Sequence, residues 1–354
     1  MKKKTLLVLA AIVVLSLLPF VGGSAIWYLG GAHGLDIDGT ATTVGRPQNL
    51  IGIGAGWMSY GSDKGGHRYS NASQITVENV ATLEEAWNYS TGDLTNRPDL
   101  MRRSATEGTP ILVEDTLVFC TPFNEIIALD PGDGSERWRF DPKTDPEQRP
   151  ANQFVCRGVA YWQDPDEPAE CGSRILMGSN DARLFAIDAQ TGQPCATFGD
   201  NGEVRIDPGM ELWWSGEFQI TSPPVIVGDT VIIGSSIGDN ARVAAPNGSV
   251  RAFDIRTGDA RWDFDPIPRA ETDVNRDDWR GESPPSEGHA NVWAPMSVDP
   301  QRGLVFLPTT SPSPDFYGGL RPGDNRYANS VVALHGDTGE VAWSFQTVHH
   351  DVWD

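Results

Sequence analysis

The sequence predicts an all-β protein, a β-propeller of four-stranded blades, from its composition and from a repeated hairpin. Its 354 residues include 38 Gly, 26 Pro and 12 Trp spread along the chain, which is typical of short, aromatic-rich strands separated by many turns. The hairpin occurs at 127–140 and 250–264, with weaker copies at 184–192 and 331–345. Because such repeats stack radially around an axis, a propeller is expected, and an open array of β-sandwiches is the alternative.

Each copy of the repeat carries the signals of two strands and a tight turn. The pattern is apolar residues, Asp, turn residues and Gly, followed in three copies by Trp, with His335 replacing Asp in the last copy. Asp closes the turn, Gly takes a positive φ, and Trp is expected to pack between neighbouring sheets. Further strand pairs at 110–120 and 224–234 complete four strands per blade. The copies are spaced more widely than the roughly 40 to 50 residues of common blades, which indicates insertions.

The N-terminus has the pattern of an export or anchoring signal. A cluster of three lysines at 2–4 precedes an uncharged stretch that begins at Thr5 and continues to Leu29. We predict a signal anchor, a transmembrane helix at 1–32, then a linker at 33–50 and an exported body from 51 to 354. A cleaved signal peptide is the alternative, because 23–25 is a run of small residues.

Charge and cysteine content exclude some classes of partner and cofactor. The formal net charge of −21 argues against nucleic acid as a partner, because the phosphate backbone would be repelled. Four cysteines would meet an oxidising compartment, where they can pair, although the sequence leaves the connectivity open. The cysteines are Cys120, Cys156, Cys171 and Cys195. The chain has no Cys-x-x-Cys-His motif for covalent haem attachment.

Several segments carry a resemblance to a known family. After an opening segment at 57–87, they are Cys156–Val159, Thr221–Pro224, Asn291–Asp299 and Gln346–Asp354. Together they resemble the dehydrogenases of alcohols and sugars that depend on pyrroloquinoline quinone (PQQ), especially the membrane-bound glucose and quinate dehydrogenase branch. The resemblance spans about residues 50 to 354. It implies an eight-bladed propeller of which 51–354 is about half, truncated at its C-terminus.

The resemblance also implies the roles of individual residues. Asp354 corresponds to the catalytic carboxylate that takes the hydroxyl proton, and Trp293 to the stacking floor of PQQ. Polar contacts to PQQ fall to Arg157 and Glu107. Asp239, Asn240 and Ser311 correspond to the calcium ligands. At the position of Ser311 many relatives carry Asn. Gln153 stands where glucose dehydrogenases usually place a substrate-facing His. His349 and His350 are interpreted as structural hydrogen-bonding groups, because calcium rarely takes imidazole.

These correspondences imply an oxidoreductase with PQQ and calcium ion as cofactors. The expected reaction is base-assisted hydride transfer from a glucose-like or quinate-like sugar or cyclic polyol to PQQ. Electrons are expected to pass to ubiquinone, with the protein held by a single pass in the inner membrane and its catalytic domain in the periplasm. The remaining propeller blades are expected from a continued chain, and the 354-residue fragment alone is expected to be inactive. A non-catalytic propeller scaffold is the alternative, although a scaffold has no need for Trp293 and Asp354 together.

Overall fold

The computed structural model describes residues 57–145, 147–165, 171–281 and 286–354. The predicted anchor at 1–32 and linker at 33–50 lie outside the described residues. Within the described ranges, no helix is both long and apolar enough to cross a membrane. The helices there are short: a four-residue α-helix at Asp93–Asn96 and 3₁₀ turns at Val80–Thr82, Pro98–Arg103, Arg276–Asp278 and Gly318–Leu320.

Strands account for most of the regular structure, as the sequence predicts. In chain order they are β1 (Ser104–Thr106), β2 (Ile111–Val113), β3 (Thr116–Cys120), β4 (Ile126–Leu129), β5 (Glu136–Phe140), β6 (Phe154–Cys156), β7 (Ala160–Gln163), β8 (Ser173–Gly178), β9 (Arg183–Asp188), β10 (Glu203–Arg205), β11 (Phe218–Gln219), β12 (Val225–Val227), β13 (Thr230–Ile233), β14 (Ser236–Ile237), β15 (Val250–Asp254), β16 (Ala260–Phe264), β17 (Ser297–Asp299), β18 (Leu304–Pro308), β19 (Ser330–His335) and β20 (Val341–Gln346).

Sixteen of these strands form four antiparallel sheets of four, which confirms the predicted blade unit. Their orders are β2-β3-β4-β5, β7-β8-β9-β10, β12-β13-β15-β16 and β17-β18-β19-β20. The first strands of the last three sheets lie side by side, since β12 contacts both β7 and β17. In these three blades the first strands are therefore the strands that face one another. The two remaining pairs, parallel β1-β6 and antiparallel β11-β14, lie outside the four-stranded sheets. Strands β1, β6 and β11 precede the first strand of a sheet, and β14 lies between β13 and β15.

Tryptophan side chains join neighbouring blades in a repeated way. The indole Nε1 of Trp138 donates a hydrogen bond of 3.1 Å to the carbonyl of Ala189 in the next blade. Gly192 lies under the same ring with φ +71°, and a Cβ there would meet the ring at 2.6 Å. Trp87 and Trp262 make the same contact with the turns at 131–134 and 336–339. The expectation that the Trp of the repeat packs between sheets is confirmed for Trp138 and Trp262, whereas Trp343 is 46% exposed and contacts Phe306 of its own sheet.

The joint between the second and third blades differs, because the 184–192 copy of the repeat has no Trp. There the backbone N–H of Gly199 donates to the carbonyl of Thr257 at 2.8 Å, and Gly258 packs against Gly199. A backbone contact thus replaces the indole. The interiors between blades are filled by buried aliphatic side chains of the second and third strands, such as Val118, Leu176 and Val305.

All four cysteines are paired, and the structure gives the connectivity that the sequence leaves open. Cys120 pairs with Cys156, and Cys171 with Cys195. The first bond ties the end of β3 to the end of β6. The second lies within the second blade's sequence span, where it joins the segment before β8 to the segment after β9.

Candidate active site

A cavity of about 280 Å³ lies where the segments before β7, β12 and β17 meet. Six of the eight site residues predicted from the sequence line it, namely Gln153, Arg157, Asp239, Trp293, Ser311 and Asp354. The other two, Glu107 and Asn240, do not line it but form hydrogen bonds or ion pairs with lining residues. A second cavity of about 210 Å³ lies farther along the inner strands and contains none of the predicted site residues.

Arg157 and Trp293 form one part of the cavity wall. The guanidinium carbon of Arg157 stands 4.9 Å from the centre of the Trp293 ring. Arg157 Nη2 pairs with Glu107 Oε2 at 3.0 Å, and Arg157 Nη1 donates to Thr221 Oγ1 at 2.7 Å. The indole remains 44% exposed, so much of its apolar surface is open. This surface can hold a flat aromatic molecule beside a fixed cation.

Glu107 reaches this wall because of an unusual strand pairing. Strands β1 and β6 run parallel and place Thr106 opposite Cys156, so the next residues, Glu107 and Arg157, emerge side by side. The second carboxylate oxygen of Glu107 accepts a hydrogen bond of 3.0 Å from Gln153 Nε2. Glu107 therefore contacts both Arg157 and Gln153 and restricts their orientations.

Three carboxylates form the acidic part of the cavity. Burial and the charge of Asp354 raise the pKa of Asp239. Burial raises the pKa of Asp315 to about 6, with further repulsion from Asp354 and Asp239, while a hydrogen bond from Asn240 opposes the shift. Mutual repulsion of carboxylates in one cavity favours a proton or a cation among them.

Asn240 and Ser311, both predicted calcium ligands, have engaged side chains. Asn240 Nδ2 donates to Asp315 Oδ2 at 2.9 Å, and its Oδ1 accepts from the Asp315 backbone N–H at 3.2 Å. Ser311 Oγ donates to Asp351 Oδ2 at 2.9 Å and accepts from Asn329 Nδ2 at 2.8 Å. Ser311 lines the cavity, whereas Asn240 is not among the lining residues and contacts the lining residue Asp315.

Asp315 and His289 are cavity residues that the sequence reasoning missed. Both are 2% exposed, and Asp315 Oδ1 and His289 Nε2 have no hydrogen-bond partner among the described residues. Burial lowers the pKa of His289 to about 4, against a hydrogen bond with the backbone of Gly238, so the imidazole is neutral near pH 7. Asp315 ends the Thr309–Asp315 run that carries Ser311, and that proximity was its only sequence signal.

The paired histidines near the chain's last residues stay out of the cavity. His350 Nδ1 lies 2.9 Å from the carbonyl of Gly323, which agrees with its interpretation as a structural group. The buried Asp351 beside it accepts hydrogen bonds from Ser311, Asn329 and the backbone of Trp353. These contacts fix the segment that leads to Asp354.

The donor set fits a hard cation by its chemistry, since Asp239, Asp315 and Asp354 offer carboxylate oxygens and calcium prefers oxygen ligands. Across the described ranges, however, no three side chains of His, Cys, Asp or Glu stand close enough together to hold a metal ion as placed. A bound cation therefore requires rotation of side chains toward one another. Asp239 and Asp354 are exposed and can rotate without breaking a packed core.

Comparison with known proteins gives the site its context. The family model described as PQQ glucose/ethanol/alcohol dehydrogenase, β-propeller domain, matches residues 57–354. Quinoprotein glucose dehydrogenase of Escherichia coli (strain K12) is 36% identical over 98% of this chain and 43% of its own length. Quinate/shikimate dehydrogenase (quinone) of Acinetobacter baylyi is 36% identical over 94% of this chain and 43% of its own length.

Solved structures agree with this likeness. The quinohemoprotein alcohol dehydrogenase from Pseudomonas putida HK5 superposes with a TM-score of 0.70 at 30% identity, covering 85% of this chain and 41% of that one. The chain thus spans less than half the length of these relatives.

Proposed function

Because the chain belongs to the family of PQQ-dependent glucose/ethanol/alcohol dehydrogenase β-propellers, we propose that this cavity is the active site for oxidation of a sugar or cyclic polyol. The observation that carries the proposal is the meeting, in one cavity, of an open tryptophan with a fixed arginine and of three carboxylates. The activity is proposed for the full-length protein, since the chain spans less than half of its relatives.

The Trp293 and Arg157 wall is proposed to hold PQQ. Trp293 offers apolar ring surface on which the flat cofactor stacks, and Arg157 offers N–H donors suited to its carboxylates. When bound, PQQ supplies an electrophilic quinone carbonyl that can accept the hydride of an alcohol. Glu107 holds the Arg157 guanidinium in place and partly neutralises it, so the arginine keeps one orientation before the cofactor arrives.

Asp354 is proposed as the base that takes the proton of the substrate hydroxyl. Its carboxylate lines the cavity and is exposed, so an alcohol can approach it. The hydrogen bonds to Asp351 anchor the preceding residues and limit where Asp354 can point. Calcium, bound by oxygens of this acidic part, would polarise the carbonyl that receives the hydride.

Gln153 is proposed to contact the substrate. Its amide is held by Glu107 and lines the cavity, so its remaining polar groups are available to a sugar or polyol hydroxyl. The relatives named above act on glucose and on quinate or shikimate, which supports a polyhydroxylated ring as the substrate class.

We also propose that ubiquinone is the electron acceptor. The proposed location is the inner membrane, with a single-pass anchor and the catalytic domain in the periplasm. The two disulfides support exposure to an oxidising compartment. The lysine cluster and uncharged stretch at the N-terminus support anchoring or export.

Reduction of an artificial electron-acceptor dye by the full-length protein tests the proposal, with PQQ and calcium added and glucose, quinate and other polyols supplied in turn. Asp354→Asn should lower the turnover number about a hundredfold or more, because a general base contributes that much. Asp337→Asn, an exposed carboxylate outside the cavity, serves as the matched control. Absence of PQQ binding would contradict the proposal and favour a scaffold.

A further inference from the structure

Beside the candidate active site lies an exposed tryptophan that the proposed reaction does not use. Trp213 belongs to the segment between β10 and β11 and is 65% exposed. The guanidinium carbon of Arg242 stands 4.8 Å from the centre of its ring, so the two groups form a Trp213–Arg242 platform. A single exposed apolar side chain is ordinary, and its support and its place relative to the cavity decide whether it can bind a ligand.

A buried ion pair holds the platform in place. Glu217 is 0% exposed, and its carboxylate accepts hydrogen bonds from Arg242 Nε at 2.8 Å and from Arg242 Nη2 at 2.9 Å. The backbone N–H of Trp213 donates to Glu217 Oε2 at 2.7 Å. Because desolvation offsets much of the attraction in a buried ion pair, such a pair is weak evidence for stability. Its structural effect here is a fixed position for Trp213 and for the guanidinium that supports it.

Backbone contacts place this segment against two chain segments that line the cavity. The carbonyl of Glu217 accepts a hydrogen bond of 2.8 Å from Gly238, and the next residue, Asp239, lines the cavity. Trp214 Nε1 donates to the carbonyl of Arg149 at 3.1 Å, and lining residues follow at 152 and 153. The segment that carries Trp213 therefore lies at the rim of the cavity.

Arg242 connects the platform to the acidic part of the cavity. It follows Asp239 by three residues, a stretch of chain that spans at most about 11 Å. Ser313 Oγ donates to the carbonyl of Arg242 at 2.7 Å, and Ser311 and Asp315 on either side of Ser313 both line the cavity. A ligand longer than one ring can therefore occupy the cavity and reach the platform.

The chemistry of the platform suits a neutral sugar ring. The flat indole offers apolar surface to the C–H face of a sugar, while nearby carboxylate and carbonyl oxygens can accept hydrogen bonds from its hydroxyl groups. An anionic ligand is disfavoured, because Glu217 already neutralises Arg242. An anionic lipid surface is disfavoured as well, because the formal net charge of the chain is −21.

We propose that the Trp213–Arg242 platform is an outer subsite for a second sugar ring, so that the protein accepts a disaccharide whose first ring is oxidised in the cavity. The assignment rests on the proposed function and makes Trp213 a residue that determines substrate length. The outer ring lies away from the reacting hydroxyl and is bound equally before and during the reaction. Loss of this contact should therefore raise the KM for a disaccharide and leave its kcat nearly unchanged.

Steady-state dye reduction by the full-length protein, with PQQ and calcium added, tests the assignment with maltose and glucose as substrates. Trp213→Ala should lower the ratio of kcat/KM for maltose to that for glucose about tenfold, through the KM for maltose. Trp213→Phe keeps a flat ring and should recover most of the ratio. Met210→Ala is the matched control and should keep the wild-type ratio, because Met210 is an exposed apolar side chain of the same segment.

The outcomes separate the outer subsite from the proposed function. A wild-type protein that oxidises a single-ring substrate but not maltose would overturn the subsite alone. So would a Trp213→Ala variant whose ratio stays within about twofold of wild type, including one that loses activity on both sugars in equal proportion. Absence of dye reduction with every sugar and polyol would refute the proposed function, and the subsite with it. Thermal melting checks that each variant is folded.

Discussion

The Arg157 guanidinium lies 4.9 Å from the centre of the Trp293 ring and pairs with Glu107 at 3.0 Å, so one side chain links the aromatic and the polar parts of the cavity. Its position depends on the parallel pairing of β1 with β6, a two-stranded sheet separate from the blades. The wall that is proposed to hold PQQ is therefore assembled before any ligand binds.

Arg157→Lys should weaken PQQ binding by about tenfold or more, because a lysine cannot stack on Trp293 and donate to two partners at once. Quenching of tryptophan fluorescence on titration with PQQ measures the affinity. Arg302→Lys, an exposed arginine paired with Asp299, is the control and should bind like wild type. Equal affinity in all three proteins would mean that Arg157 makes no contact with the cofactor.

Gln153→His should shift the preference among polyols by about tenfold in the ratio of kcat/KM for glucose to that for quinate. The change replaces an amide oriented by Glu107 with the group that glucose dehydrogenases usually carry there. Steady-state dye reduction with each substrate gives the ratio. An unchanged ratio would place substrate recognition elsewhere.

Removal of each disulfide should separate stability from cofactor binding. The Cys120–Cys156 and Cys171–Cys195 bonds close loops of 36 and 24 residues, so replacing either pair with Ser should cost about 3 to 4 kcal/mol of unfolding free energy. Only loss of the first bond should also weaken PQQ binding, because Cys156 adjoins Arg157. Denaturant unfolding and PQQ titration of both double variants check this, and equal PQQ affinities would contradict it.

Asp188→Asn should reduce stability in a pH-dependent way. Burial acts to raise the pKa of Asp188, but hydrogen bonds from the backbone of Cys171 and from Thr191 outweigh it and hold the pKa below its usual value. A lowered pKa contributes stability above the unfolded value and loses it as the pH falls through the folded value.

The advantage of wild type over Asp188→Asn should be about 2 kcal/mol near pH 7, since a charged acceptor is lost. It should shrink below about pH 4, near the ordinary pKa of an aspartate. Urea unfolding of both proteins at several pH values gives the difference. A difference that stays constant to the lowest pH at which both fold would refute the pKa direction.

Gly192→Ala should destabilise the protein by about 2 kcal/mol more than Gly228→Ala. Both glycines have positive φ, +71° and +55°, so both variants carry about 1 to 2 kcal/mol of backbone strain. A Cβ at Gly192 would meet the Trp138 ring at 2.6 Å, whereas nothing lies within 4 Å at Gly228. The difference between the two variants in unfolding free energy, measured with denaturant, reports the contribution of the contact between Gly192 and Trp138. Equal losses of unfolding free energy would show that this contact adjusts easily to a Cβ.

The sequence predicted the blades well because their signals are local. Turn residues such as Asp254 and Gly258 act within a few positions, so hairpins can be recognised without knowing what they pack against. Site residues carried by the resemblance also came together, with Trp293 and Asp354 lining the same cavity although 61 residues separate them.

The sequence could not reveal properties that depend on distant packing. The pairing of Cys120 with Cys156 depends on the end of β3 meeting the end of β6, which is 36 residues away, and no spacing rule specifies it. Asp315 became visible only through its burial and its unpartnered oxygen, which arise where the segment between β18 and β19 contacts Asn240. The same contact withdraws Asn240 from the cavity that it was predicted to line.

The tryptophan contact between blades has a consequence for how such proteins diversify. Trp138 and Trp262 reach their neighbours through the turn between third and fourth strands, at the outer part of each blade, while Arg157 and Trp293 precede the inner strands. The contacts that join neighbouring blades and the residues of the candidate site thus occupy different regions of the repeat. Natural variation can remodel the loops before the inner strands while the tryptophan contacts keep neighbouring blades joined.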